Sequence, residues 1–262
     1  MSPNALPKKL HSSHVTIEGS RLEYQWHGPP ASDARTIVFL HEGLGSITQW
    51  RDFPATLCAR TGYGGLVYNR QGHAGSSAPT ARPSLRYMHD EALHVLPKLL
   101  DVFEIHDPVL LGHSDGASIA VIYAGARLGS PKALVLEAPH VFVEDITVRR
   151  IAEVRDTYRS TNLRDRLARH HGDNVDSLFD GWSGVWLSPE FRAWNIEEYL
   201  PHIECPALVI QGTDDEYATL NQVHAIAAGM QGRAETLILE DCRHSPHVDQ
   251  RSVVEAAVAS FL

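Results

Sequence analysis

The stretch Pro108-Val109-Leu110-Leu111-Gly112-His113-Ser114-Asp115-Gly116-Ala117-Ser118 decides the fold. A short apolar run ends in Gly-x-Ser-x-Gly, and small and apolar residues at helical spacing follow at once (Ala117, Ile119, Ala120, Val121, Ala124). That order is strand, sharp turn, helix. Gly112 and Gly116 must be small so that strand and helix can pass each other, and the turn forces Ser114 into a strained conformation at its tip. The first helical turn then lies beneath the Ser114 hydroxyl. Its dipole and the Asp115 N–H face an oxygen that becomes negative when a carbonyl is attacked. A free serine hydroxyl is a poor nucleophile, so this reading requires a base and an orienting acid elsewhere in the chain.

Outward from the turn, the pattern alternates strands with helices. Residues 14–18 and 22–26 alternate polar and apolar positions around Gly19-Ser20, which predicts an antiparallel hairpin at a sheet edge. Residues 36–40, 65–68, 108–112, 133–138 and 206–211 are short, mostly apolar runs, the pattern of strands buried on both faces, and a further strand is expected at 235–239. Helices are expected over 49–60, 87–103, 220–230 and 249–262. The fold class expected is α/β, a mostly parallel, eight-stranded twisted sheet with helices on both faces. From 140 to 202 no buried strand occurs. Charged helical segments (148–158, 163–170) lead into a stretch dense in Phe179, Trp182, Trp186, Phe191, Trp194 and Tyr199. This predicts a helical cap at 140–202 inserted into a core formed by 1–139 and 203–262.

The base and acid have natural places on such a sheet. The strand at 206–211 ends in Gly212-Thr213-Asp214-Asp215-Glu216, and the strand at 235–239 ends in Glu240-Asp241-Cys242-Arg243-His244-Ser245-Pro246-His247. Both loops follow the carboxyl ends of parallel strands, the sheet edge that carries Ser114. The order Ser, Asp, His permits a relay in which the imidazole takes the Ser114 proton and the carboxylate holds its tautomer. Asp215 is preferred over Asp214 and Glu216, any of which could instead cap a turn. His244 is preferred over His247, which opens the last helix. His41, His73, His113 and His140 end strands on the same edge. They read as pocket walls or local hydrogen-bonding residues, because no histidine–carboxylate spacing repeats as a metal site does.

Composition narrows the function. The 262 residues suit one large domain or a domain with an inserted cap. Against 23 basic side chains stand 32 acidic ones, a net charge of −9 that argues against nucleic acid and anionic membrane as partners. Three cysteines, Cys58, Cys205 and Cys242, form no zinc or disulfide pattern and suit a reducing cytoplasm. The N-terminal segment 1–9 lacks the apolar run of a signal peptide.

Taken together, the chain resembles the α/β-hydrolase fold superfamily. Leu40-His41-Glu42-Gly43-Leu44-Gly45-Ser46 is similar to its His-Gly loop, and Asn69-Arg70-Gln71-Gly72-His73-Ala74-Gly75-Ser76 to its Asp-x-Arg-Gly-x-Gly-x-Ser loop. Gly112-His113-Ser114-Asp115-Gly116 matches its nucleophile elbow, and the loops at 212–215 and 242–247 its acid and histidine loops. The resemblance implies Ser114 as nucleophile, Asp215 as orienter, His244 as base, and the N–H groups of Asp115 and Gly43 as oxyanion donors. His41, Glu42, His113, His140, Trp182 and Trp186 are expected around the substrate. Three residues depart from the family pattern: Glu42 and Arg243 stand where glycine is usual, and Asn69 where aspartate is. The activity expected is hydrolysis of a small apolar or aryl carboxylic ester, with neither metal nor cofactor, by a monomer or homodimer. Cleavage of a C–C bond in ring-fission diketones, or of a lactone or thioester, is the alternative.

Overall fold

The computed structural model describes residues 12–79 and 81–262. The N-terminal segment 1–9 read for a signal peptide lies outside the described residues. Eight strands form one sheet: β1 (Ser13–Ile17), β2 (Ser20–His27), β3 (Thr36–Leu40), β4 (Gly64–Tyr68), β5 (Val109–His113), β6 (Ala133–Glu137), β7 (Ala207–Gly212) and β8 (Ala234–Leu239). Their spatial order is β1-β2-β4-β3-β5-β6-β7-β8. The β1–β2 hairpin is antiparallel and joins β4 antiparallel, while every pair from β4 to β8 is parallel.

Alternation along the inner strands explains their unbroken apolar runs. Val38 and Leu40 of β3 enter the core on one face, with Leu110, Leu134, Leu136 and Val209. Ile37 and Phe39 enter the core on the other, with Leu111, Val135, Leu208 and Ile210. The first core is covered by the helix Asp115–Gly125 and by a long helix running through Tyr87–Asp90, Glu91–Val95 and Leu96–Val102, whose middle segment is π-helical. The second is covered by Phe53–Thr61 and Arg251–Phe261. Asp115–Gly125 is buried at every position because it lies against the central strands and beneath neighbouring helices.

The sheet and its helices follow the expected pattern, with three local differences. The helix expected at 49–60 is broken: a 3₁₀ turn, Ile47–Trp50, precedes Phe53–Thr61, and Arg51 between them has φ 54°. Pro54 favours the first turn of a new helix, where its missing N–H costs nothing. The helix expected at 249–262 divides at Gln250 into Pro246–Asp249 and Arg251–Phe261. The aromatic-rich part of the insertion contains a helix, Val175–Trp186, that buries Val175, Phe179, Trp182 and Trp186. Their spacing of four, three and four residues is that of one helical stripe. Asp145–Ser160 and Leu163–His171 complete the helical insertion between β6 and β7. Among the described residues no helix is long and apolar enough to cross a membrane.

Candidate active site

Ser114 sits between β5 and the helix Asp115–Gly125 with φ 53° and ψ −117°, a left-handed conformation that non-glycine residues avoid. A side chain at Gly116 would run into the Leu40 carbonyl, and one at Gly112 into the Gly116 backbone. Strand and helix therefore meet at a separation only glycine allows. The turn presents the Ser114 hydroxyl to the rim where β7 and β8 also end.

Two loops on that rim complete a hydrogen-bonded run. His244 Nε2 lies 3.0 Å from Ser114 Oγ, and His244 Nδ1 lies 2.8 Å and 3.0 Å from the two Asp215 oxygens. Asp215 is itself aimed: Oδ1 accepts the N–H groups of Tyr217 (2.8 Å) and Ala218 (3.2 Å), and Oδ2 accepts Gln211 Nε2 (3.3 Å). With its carboxylate receiving Nδ1–H, His244 presents a bare Nε2 to the serine. The loop is held from behind, because His113 Nε2 donates to the His244 carbonyl at 2.6 Å. Tyr217 lies over the His244 ring at a centroid distance of 4.5 Å.

Electrostatics match this geometry. Burial alone would lower the His244 pKa, but the Asp215 charge and hydrogen bond outweigh it and hold it above the ordinary histidine range. Burial alone would raise Asp215, yet the charge and hydrogen bond of His244 bring it below the usual carboxylate value. His247 does not reach the serine. Its ring donates to Glu137 Oε2 at 2.7 Å beneath Trp50.

The loop 41–46 is clamped from outside. Arg70 Nη2 and His41 Nδ1 both donate to the Glu42 carbonyl at 2.8 Å, His73 Nε2 to the Gly43 carbonyl at 3.1 Å, and His171 Nε2 to the Leu44 carbonyl at 2.8 Å. In a trans peptide N–H and C=O point in opposite directions. The Gly43 N–H therefore turns away from Arg70, and Gly43 lines the cavity that contains Ser114. Among the described residues, neither the Gly43 nor the Asp115 N–H is taken by another protein group. Glu42 stabilises its own loop by accepting the Leu44 N–H at 2.7 Å. Burial raises its pKa, as it does that of Asp115, whose Oδ2 accepts Tyr87 OH at 2.5 Å. Asn69 accepts the Ile47 N–H just after this loop and donates to Glu23.

The cavity above Ser114 measures about 490 Å³, and helices of the insertion line it together with the loops at the sheet edge. Glu42, His113, His140, Trp182 and Trp186 line it; His41 does not, being spent on the loop clamp. His140, pushed down to about 3 mainly by burial, is a neutral wall residue. Arg150, Arg166 and Tyr217 also line the cavity, and sequence reasoning did not single them out. Arg150 and Arg166 stand sixteen residues apart on two helices, so no linear spacing joined them. Among the described residues no group of His, Cys, Asp or Glu side chains is arranged to hold a metal ion.

Comparison with known proteins gives the same fold. The chain is 22% identical over its near-full length to 2-hydroxy-6-oxononadienedioate/2-hydroxy-6-oxononatrienedioate hydrolase of Paraburkholderia xenovorans, with 99% of this chain and 98% of that one covered. The enol-lactonase of Burkholderia xenovorans LB400 superposes with a TM-score of 0.76 at 21% identity, covering 95% of this chain and 99% of the other. A carboxylesterase structure from the thaumarchaeon Nitrososphaera gargenis superposes equally well, with a TM-score of 0.76 at 17% identity over 95% and 97% of the two chains. The model of the alpha/beta hydrolase family matches residues 37–257, from the strand before the clamped loop into the last helix, and the chain belongs to that family.

Proposed function

We propose that this hydrolase cleaves a small carboxylic ester with an apolar or aryl group through an acyl-enzyme on Ser114. The observation that carries this reading is the hydrogen-bonded run Ser114–His244–Asp215 at 3.0 Å and 2.8 Å. Ser114 Oγ attacks the acyl carbon while His244 Nε2 takes its proton. The oxyanion is received by the N–H groups of Gly43 and Asp115. The C–O bond then breaks, and the leaving alcohol takes the proton back from His244. Water, deprotonated by the same nitrogen, attacks the acyl carbon and frees the acid and Ser114. Residues 140–202 act as a cap that excludes bulk water from the cavity.

The test is Ser114→Ala, which is expected to lower hydrolysis of p-nitrophenyl acetate by on the order of 10⁴-fold or more while the melting temperature stays nearly constant. Retained turnover, or loss only through unfolding, overturns the assignment.

A second reading, opening of a lactone or cleavage of a C–C bond in an anionic diketone, draws on the two relatives named for such reactions and on Arg150 and Arg166 in the cavity lining. Those cations suit a substrate carboxylate, whereas Glu42 and Asp115 beside Ser114 oppose one. Parallel assay of an aryl ester, an unsaturated lactone acid and a ring-fission diketone separates the two readings. Selective loss of the acidic substrates in Arg150→Ala would favour the second.

A further inference from the structure

A second cavity of about 620 Å³ lies beside the first, between the β1–β2 turn, the loop after β4, the start of the long helix and the helix Val175–Trp186. The two cavities have two lining residues in common, Gly43 and Trp182. The indole of Trp182 is seated against the bare Cα of Gly43, where a side chain would strike Nε1. Gly43 supplies one of the two amides assigned to the oxyanion, so the second chamber begins one residue from the reacting carbon.

The partition is weakly tethered. Trp182 is only 9% exposed, yet its Nε1–H has no hydrogen-bond partner. Trp186, one turn later on the same helix, donates to Tyr87 OH at 3.0 Å. Trp182 is held by packing alone, against Gly43 and beside the Phe179 ring at 6.0 Å. Rotation of its indole breaks no hydrogen bond. Beyond it, Ile17, Leu22, Pro83, Val95 and Leu178 give the chamber an apolar wall, while Arg70, Asp90 and Glu91 are among the charged residues on its other sides.

We infer that the second chamber receives the extended alkyl or aryl arm of a longer ester, and that Trp182 is the partition that selects substrates by the length of that arm. This rests on the acyl-enzyme reading above for its position relative to the reacting carbon. A short acyl group leaves the indole in place. A long one displaces it and gains the apolar wall behind.

Two variants test this from opposite sides. Trp182→Ala opens the partition, and Leu178→Trp fills the chamber from a position one helical turn before Trp182 that does not line the catalytic cavity. In Trp182→Ala the ratio of kcat/KM for p-nitrophenyl decanoate to that for the acetate is expected to rise about tenfold or more, the equivalent of roughly two further buried methylenes. Leu178→Trp lowers that ratio, leaves acetate hydrolysis unchanged, and erases the gain when combined with Trp182→Ala. A ratio unmoved by Trp182→Ala, or a gain that survives Leu178→Trp, overturns the inference. A separate readout does not depend on turnover: calorimetric binding of decanoate to the Ser114→Ala protein. It tightens with Trp182→Ala and weakens with Leu178→Trp. If Ser114→Ala leaves ester hydrolysis intact, the acyl-enzyme reading fails while calorimetry still decides the chamber. Binding indifferent to both variants sinks the chamber alone.

Discussion

At the scale of single residues, the site depends on which groups are charged at neutral pH. In the proposed relay His244 acts only when unprotonated, and Asp215 raises its pKa above the ordinary range. The rate is therefore expected to rise with pH through an inflection above that range, and to be lost as His244 takes up a proton on the acid side. A pH–kcat/KM profile checks the sign. Asp215→Asn removes the charge that supports the imidazolium and the acceptor that sets its tautomer. It is expected to move that inflection downward and to cost about 10⁴-fold in kcat. Asp214→Asn leaves both nearly untouched, because the carboxylate hydrogen-bonded to His244 is that of Asp215. Equal losses in the two variants would contradict the geometry. His247 shows how neighbouring histidines diverge: three residues from His244, it is committed to Glu137 and a Trp50 face.

At the scale of elements, two devices place atoms that no local sequence could place alone. The first is the contact of β5 with the helix that begins at Asp115. In Gly116→Ala the new methyl group would meet the Leu40 carbonyl, a backbone atom that cannot step aside cheaply. A stability loss of about 3 kcal/mol or more is expected, read as a fall in urea midpoint together with loss of Ser114 labelling by a fluorophosphonate. The second is the clamp on loop 41–46. Arg70→Met removes the guanidinium from the Glu42 carbonyl and leaves the peptide that carries the Gly43 N–H held by His41 alone. It is expected to lower kcat by about 10²-fold with little change in KM, because an oxyanion donor acts on the transition state. A purely structural role would instead lower the melting temperature and leave kcat per folded molecule unchanged. His171, from the insertion, clamps the Leu44 carbonyl of the same loop, so the insertion and loop 41–46 are mechanically joined.

At the scale of the whole molecule, the rim carries several histidines that stay neutral in the folded state. Burial holds His73 and His140 down to about 3 and puts His41 and His113 well below the usual value. Their unfolded counterparts take up protons near pH 6.5. Below that pH the unfolded chain binds more protons, so stability falls as pH falls, by up to about 1.4 kcal/mol per pH unit for each such histidine. His244, shifted upward, has the opposite sign, and its contribution is present at low pH and lost as pH rises through its folded value. Thermal melts from pH 8 down to 5 are expected to show a steepening loss that His140→Asn reduces; a flat profile would contradict four neutral buried imidazoles. Much of this molecule could be read before any coordinates: alternation marked the hairpin, unbroken apolar runs marked the two-sided strands, and glycines flanking Ser114 marked the elbow, because each is a constraint on neighbouring residues. The stripe Val175, Phe179, Trp182, Trp186 was as periodic as any helix, but its apolar density hid the period. What tertiary structure alone decided was pairing between distant loops. That Arg70, His73 and His171 turn one loop's carbonyls outward, and that Trp182 divides two chambers against Gly43, depends on separations through space that no spacing along the chain encodes.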